Sequence, residues 1–130
     1  MTDDQLLAGL ESGELLPDQF HHTQHVRAAW IYLNRYPILE AISRFCGTLR
    51  AFATALGKPD RYHETITWAY LLLINERIQR SAGAAGWEHF AASNPDLLDW
   101  TSPIVRRYYS QDILDSPLAR KVFVMPDPKP

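Results

Sequence analysis

Apolar residues recur every three or four positions along most of this chain, which is the spacing of an amphipathic helix. In one stretch four residues have this spacing: Val26, Ala29, Trp30 and Leu33. A longer stripe follows after a proline, and it consists of Ile38, Leu39, Ile42, Phe45, Cys46, Leu49, Phe52, Ala53 and Leu56. We therefore predict helices over residues 22–34 and 38–56, and we expect Gly57 to end the second helix in a left-handed conformation.

Residues 60–80 predict a third helix of a different kind. Asp60 is placed to cap its start, and Glu64 falls in its first turn, where a negative charge is favourable. From residue 66 to residue 74 the segment is apolar on nearly every face, which is typical of a helix in the interior of a helical protein. The glycine-containing segment SAGAAG, residues 81–86, is expected to turn the chain after this helix.

The remaining segments predict only short helices, because prolines interrupt them. The expected short helices cover residues 3–12, 86–94, 95–100, 103–109 and 110–119. Alternating strand patterns and hairpin dipeptides are nearly absent from the sequence. We therefore predict an all-α fold: a compact single-domain helical bundle of three long helices plus several short ones. The domain is expected to cover residues 1–125, followed by an extended or frayed tail over residues 126–130, where three prolines exclude regular pairing.

Composition narrows the class of protein. A chain of 130 residues with 46% hydrophobic and 22% charged residues is expected to fold as one soluble domain. A formal net charge of −2 predicts no nucleic-acid partner. The longest apolar run, WAYLLLI, is too short to cross a membrane. Because Cys46 has no second cysteine to pair with and the acidic start does not look like an export signal, we expect a cytoplasmic protein. The sequence leaves the oligomeric state open.

Two segments, FHHTQH and RYHETITWAY, hold four of the five histidines, and each stands where a predicted helix begins. His22 and His25 are three residues apart, whereas His21 and His25 are four apart, so either pair can chelate one metal ion from a helix face. In the second segment His63 shares a face with Thr67, and Glu64 lies about 100° further round the helix. If the two helix starts lie side by side, they combine three imidazoles and a carboxylate.

Such a group of side chains suits a divalent transition metal, namely zinc, iron, nickel or manganese. The partial positive charge of a helix N-terminus disfavours imidazolium, so histidines there keep a lone pair for a metal or a proton. The predicted metal ligands are His22, His25 and His63. Glu64 is predicted to be a ligand or a general base, with Arg120 orienting it or meeting an anionic substrate, and the other side chains expected to line the site are Thr65 and Thr67. The reaction class expected of such a site is metal-assisted hydrolysis or lyase chemistry.

The same residues fit two other interpretations. In the first, a metal-free binding or regulatory module holds a small polar ligand between aromatic walls. In the second, the protein is a structural or dimerising domain, and the histidines only satisfy helix ends. The spacing of His22 and His25 is weakly diagnostic of metal, and Thr67 occupies the position where a zincin helix would have its second histidine. The sequence therefore leaves open whether the protein is an enzyme.

The segments FHHTQHVRAAWIYL, RYHETITWAY and YYSQDILDSPLARKVFVMPD together resemble a set of small bacterial proteins without an assigned activity. Their pattern opens one helix with F-x-H-x-x-H and another with Y-H-E-T-I-T, and closes with A-R and P-D. The resemblance would cover most of residues 20–127. It implies that seven residues act together, and these are His22, His25, His63, Glu64, Thr65, Thr67 and Arg120. It implies no particular reaction, and His21 falls outside the pattern.

Overall fold

A computed structural model of the chain describes residues 1–81 and 85–127, and all regular structure in these two ranges is helical. The α-helices are α1 (Asp3–Ser12), α2 (His22–Arg35), α3 (Ile38–Ala55), α4 (Glu64–Arg80), α5 (Trp87–Ser93), α6 (Pro95–Leu98), α7 (Gln111–Leu114) and α8 (Pro117–Lys121). Short 3-10 helices are found at Pro17–Gln19, Pro59–Arg61 and Ile104–Arg107. The all-α prediction is therefore confirmed.

The chain divides into two compact units, Met1–Tyr62 and His63–Pro130. The first contains α1 to α3, and the second contains α4 to α8. The prediction of one domain built as a single bundle stays a prediction. Part of the expected turn, residues 82–84, and the last three residues of the expected tail, 128–130, lie outside the described residues.

The first unit begins with a helix whose ends follow directly from its sequence. The Thr2 hydroxyl accepts the Gln5 backbone N–H at 3.1 Å, and the Gln5 side chain accepts the Thr2 backbone N–H at 2.9 Å, which forms a reciprocal capping box. The helix ends at Gly13, whose φ of 76° is accessible to glycine at little steric cost. Its apolar face buries Leu6, Leu7 and Leu10.

α1 packs on both α2 and α3, and α2 packs closely on α3. Arg27 of α2 reaches back to Asp3, with the closer guanidinium nitrogen 2.7 Å from the carboxylate oxygen. The buried residues of α2 and α3 that make the core are Val26, Ala28, Ala29, Trp30, Ile31, Tyr32, Leu33, Ala41, Ile42, Phe45, Cys46, Leu49, Phe52 and Ala53. This packing confirms the predicted apolar stripe of α2 and most of that of α3. Leu39 was predicted to belong to the second stripe, but it is 80% exposed.

The second unit is organised around α4, which contacts α8 and the 3-10 helix Ile104–Arg107. The side chains buried in this unit are His63, Thr65, Tyr70, Leu71, Ile74, Phe90, Asn94, Leu97, Ile104, Val105, Tyr109, Ser110, Leu114 and Ala119. Most of them are apolar, but six carry polar side-chain groups that need hydrogen-bond partners. These six are His63, Thr65, Tyr70, Asn94, Tyr109 and Ser110. Three of them, His63, Thr65 and Ser110, lie at helix starts.

Among the predicted helix boundaries that are wrong, two have a clear physical cause. Asp60 does not cap α4, because residues 59–61 form a 3-10 helix; α4 begins at Glu64, and His63 is its cap. The expected helix over residues 110–119 is divided into α7 and α8. The division occurs because the Ser116 hydroxyl accepts the backbone N–H of Ala119 at 3.1 Å and caps a new helix, whose first residue is Pro117.

Candidate functional site

The start of α2 holds three histidines and an aromatic anchor. The ring of Phe20 stacks on His25 with the centroids 4.0 Å apart, and it approaches Phe52 edge-on at 5.3 Å. His21 is the cap residue, and its backbone N–H donates to the Gln24 side chain at 2.9 Å. Phe20 therefore fixes the His25 ring against the body of the first unit, one turn inside the helix.

His25 is held in its neutral form. Its pKa is lowered from 6.5 to about 4, first by burial and second by the charge of His22. The residue is nevertheless only partly buried, so part of its surface is open to solvent. Within residues 1–81 and 85–127, the ring atoms of His25 make no hydrogen bond or ion pair. A neutral imidazole has one donor and one acceptor nitrogen, and both are available here.

The two histidines before it differ in their relation to His25. His22 is partly buried, and its charge acts on His25 strongly enough to lower the pKa of that ring. His21 is exposed and does not contribute to that shift. This charge effect therefore links His25 to His22, the pair with a spacing of three residues.

The start of α4 is built around His63, and both of its ring nitrogens are used. Nδ1 lies 3.0 Å from the backbone nitrogen of Ile66 and accepts its N–H, which caps the helix. Nε2 lies 2.7 Å from the carbonyl oxygen of Leu114, which can only accept, so the proton must be on Nε2. The two bonds together fix one neutral tautomer. Consistently, the pKa of His63 is lowered, and burial is the largest cause. The bond to Leu114 acts in the opposite direction and raises the pKa, whereas the charge of Arg120 lowers it further.

The hydroxyls of Thr65 and Thr67 make hydrogen bonds to backbone groups of the second unit. The Thr65 side chain is fully buried, and its hydroxyl donates to the carbonyl oxygen of Val122 at 2.8 Å and accepts the N–H of Val124 at 3.1 Å. The Thr67 hydroxyl donates to the carbonyl oxygen of His63 at 2.7 Å, one turn earlier in the same helix. Both hydroxyls thus bond to backbone groups of the second unit, and the prediction that the two threonines line a site stays a prediction.

Glu64 and Arg120 also belong to the second unit. Glu64 is the first residue of α4 and is partly exposed, and Arg120 is an exposed residue of α8. α8 packs on α4, which explains why the Arg120 charge reaches His63. Their predicted roles, general base and anion contact, stay predictions.

The predicted residues thus fall into two groups, one in each unit. His22 and His25 lie in the first unit, and the others, His63, Glu64, Thr65, Thr67 and Arg120, lie in the second. The expectation that all the imidazoles converge on one metal ion concerns both units and stays a prediction. In the part of the chain that the structure describes, no three or more His, Cys, Asp or Glu side chains are grouped so that they could hold a metal.

Sequence reasoning missed one set of contacts in the second unit, which joins Ser110 to Asp127. The Asp127 carboxylate accepts the Ser110 backbone N–H at 2.9 Å and its hydroxyl at 2.7 Å. A serine before a predicted helix signals a cap, but no local pattern signals a partner seventeen residues later. Asp127 lies in the predicted tail, and these two bonds hold it against the start of α7.

Comparisons with known protein families, characterised proteins and solved structures find no match to this chain. The resemblance to small bacterial proteins therefore stays a prediction. Across the described ranges, no helix combines the length and the apolar character that crossing a bilayer demands.

Proposed function

We propose that this protein binds a divalent transition metal through His25 and His22 at the start of α2. The observation that carries the proposal is the His25 ring: it is partly accessible, and within the described residues it makes no hydrogen bond. His22 precedes it by three residues in the same helix, which places the two side chains on neighbouring positions of one helix face.

The surroundings of His25 support a ligand role. Phe20 stacks on the ring at 4.0 Å, so the imidazole does not need to lose much rotational freedom when it binds. Two imidazoles fill only part of a tetrahedral coordination sphere, and the remaining positions would be taken by water or substrate. An open position of this kind is what metal-assisted hydrolysis or lyase chemistry requires, and that reaction class is our expectation for the site.

In this proposal His63 has a different role from the two ligands. Binding a metal at Nδ1 would remove the cap on Ile66, and binding at Nε2 would leave the buried Leu114 carbonyl without its donor. We therefore propose that His63 is a structural residue of α4. Glu64 and Arg120 belong to the second unit, and their predicted roles of general base and anion contact stay predictions.

A second candidate function is metal-free binding of a small polar ligand, and one contact favours it. Phe20 stacks on the His25 ring, and Phe52 in turn lies edge-on against Phe20. A ligand with an apolar part and a hydroxyl or amide donor would fit such a setting, since the apolar part would contact the rings and the donor would bond to the imidazole. This function needs no metal.

The experiment is metal binding by isothermal titration calorimetry, with untagged protein that has been stripped by a chelator. We expect one zinc, nickel or cobalt ion per chain. His25→Ala and His22→Ala should each weaken binding by more than about tenfold, because even losing an outer partner of a metal ligand costs about that much. His21→Ala is the matched control in the same segment, and His89→Ala is the control for an exposed histidine in the second unit; both should bind like the parent. Equal affinity in His25→Ala and the parent would refute the proposal.

The second candidate is tested with the same variants in the presence of EDTA. A panel of polar metabolites is screened for a rise in melting temperature, which any ligand that prefers the folded state must produce. A compound that stabilises the parent and His21→Ala but not His25→Ala would support metal-free binding. A panel in which every compound acts equally on the parent and His25→Ala would exclude His25 from ligand recognition.

A further inference from the structure

Residues 122–127 follow α8 as an extended segment, here called the strap, and side chains of the same unit hold it along its length. At its first end is Thr65, in the first turn of α4. The hydroxyl donates to the Val122 carbonyl oxygen at 2.8 Å and accepts the Val124 N–H at 3.1 Å. One buried hydroxyl thus satisfies two backbone groups of the strap, in the way that a neighbouring strand would.

At its other end the strap is held by Ser110 and Tyr108. The Asp127 carboxylate accepts both the backbone N–H and the hydroxyl of Ser110, and the Asp127 N–H donates to the Tyr108 carbonyl oxygen at 3.1 Å. The Ser110 hydroxyl also accepts the Ile113 N–H at 3.3 Å, so the same side chain caps α7. Bonds to a carboxylate are roughly twice as strong as neutral ones, which makes Asp127 the strongest single fastening of the strap.

The middle of the strap is fastened by two aromatic residues. The Tyr109 hydroxyl donates to the Val124 carbonyl oxygen at 2.7 Å. The ring of Phe123 stacks on Trp68 of α4, with centroids 5.3 Å apart. Thr65 and Trp68 are three residues apart in α4, so the strap covers one face of the first turn of that helix.

We propose that the strap opens as one unit, hinged after Lys121, and that its opening uncovers the first turn of α4. The physical reason is that side chains, rather than backbone groups, make most of the hydrogen bonds that hold the strap. Among the described residues, the Val122 N–H bonds back to the Leu118 carbonyl oxygen of α8, and beyond it the only backbone-to-backbone bond of the strap is the one from Asp127 to Tyr108. A helix, in contrast, repeats such bonds at every residue. Segments held mainly by side-chain bonds open at a lower free energy than core helices.

Opening of the strap changes which groups at the start of α4 are exposed to solvent. When the strap is closed, Thr65 has no exposed surface and Trp68 is paired with Phe123. When it opens, the Thr65 hydroxyl and the face of Trp68 become accessible, next to Glu64 in the same turn. This inference is independent of metal binding at α2, because every contact that carries it lies in the second unit.

The test is amide hydrogen exchange measured by NMR on the full chain, with one variant at each end of the strap. Asp127→Asn removes the charge from one end, and Thr65→Val removes the hydroxyl from the other at nearly constant volume. If the strap opens as a unit, Asp127→Asn must accelerate exchange of the Val124 amide, although the partner of that amide, Thr65, is unchanged. In turn Thr65→Val must accelerate exchange of the Asp127 amide. We expect at least about tenfold in both cases, since bonds to charged groups and paired buried bonds each contribute that much.

Asp112→Asn is the matched control, because it makes the same charge change at an exposed position close to Ser110. It should leave both amides as in the parent. The amide of Phe45, in the core of the first unit, should exchange equally slowly in all variants. The inference is overturned if each variant accelerates only the amide that its own side chain contacts, or if the Phe45 amide accelerates as much as those of the strap.

Discussion

His63 donates its Nε2–H to the carbonyl oxygen of Leu114 over 2.7 Å, and this bond ties the start of α4 to the end of α7. The opposite ring nitrogen caps α4 through the Ile66 N–H. One neutral imidazole therefore replaces two backbone partners, since a cap needs an acceptor and the end of α7 needs a donor. No other side chain combines a donor and an acceptor on opposite sides of a rigid ring.

Replacing His63 by alanine should destabilise the protein by about 2–4 kcal/mol, because the change removes a helix cap and leaves a buried carbonyl without a donor. Urea unfolding followed by circular dichroism at pH 7.5 measures the change in the free energy of unfolding. His89→Ala is the matched control, since His89 is an exposed residue of α5 in the same unit. It should change stability by less than about 0.5 kcal/mol. Equal effects of the two variants would contradict the structural role of His63.

The start of α4 shows why sequence alone placed this boundary wrongly. Asp60 is a better capping residue than histidine by general preference, so the local pattern favoured it. The pattern contains no information about Leu114, which lies fifty-one residues later and offers its carbonyl to the histidine ring. A hydrogen bond to a residue distant in sequence therefore determines which residue caps α4. The apolar stripes of α2 and α3 were predictable from sequence because burial of one helix face is a local, periodic property.

The candidate site was predictable to a similar extent. The residue types and the helix starts that hold His22 and His25 follow from the local sequence, and the structure confirms that α2 begins at His22. Whether the nitrogens of each ring are hydrogen-bonded does not follow from the local sequence. His25 is left with open nitrogens because Phe20 covers only its face, whereas the nitrogens of His63 are both bonded. Such differences depend on neighbours that are distant in sequence or on ring orientation.

Stability should rise with pH between about 4 and 6.5, with His25 as one cause. The folded pKa of His25 is about 4, below its ordinary value of 6.5, so the unfolded chain binds more protons in this range. The stabilising contribution is complete above pH 6.5 and is lost as the pH falls towards 4. It amounts to up to about 3 kcal/mol, since one pKa step corresponds to 1.36 kcal/mol. The pKa of His63 is also lowered and acts in the same direction.

The measurement is urea unfolding at several pH values between 4.5 and 7.5 in the presence of EDTA, which keeps metal ions away from the histidines. His25→Asn should flatten the pH dependence, whereas His21→Asn, at an exposed position, should keep the slope of the parent. An NMR titration of the His25 ring should show its protonation near pH 4. A ring that titrates near 6.5 would contradict the expected burial effect.

Replacing Arg77 by lysine should lower the stability of the protein. Its guanidinium contacts both carboxylate oxygens of Asp96, at 3.0 and 2.8 Å, and the side-chain oxygen of the buried Asn94 at 2.8 Å. A lysine keeps the charge but cannot form this fork, so Arg77→Lys should cost about 1–2 kcal/mol. The bond from Arg77 also lowers the pKa of Asp96, so this contribution is present above the ordinary carboxyl pKa and is lost in acid.

Arg80→Lys is the matched control for that variant. Arg80 pairs with Glu76 in the same helix, but both side chains are largely exposed, at 75% and 54%. Exposed pairs of this kind contribute about 0.3–0.5 kcal/mol, and a lysine can replace the arginine. Thermal unfolding of both variants at neutral pH gives the comparison. If Arg80→Lys lowered the stability as much as Arg77→Lys, the bonds from Arg77 to Asp96 and Asn94 would contribute no more stability than an exposed ion pair.

Tyr109→Phe should loosen the middle of the strap without disturbing the rest of the second unit. The Tyr109 hydroxyl bonds to the Val124 carbonyl oxygen at 2.7 Å, and removing one such bond costs about 0.5–1.5 kcal/mol. The low end is expected, because Val124 is only partly buried and water can take over the carbonyl once the hydroxyl is gone. Tyr108→Phe is the neighbouring control, since that side chain is exposed. Urea unfolding should separate the two variants; identical stabilities would show that the bond to Val124 does not fasten the strap.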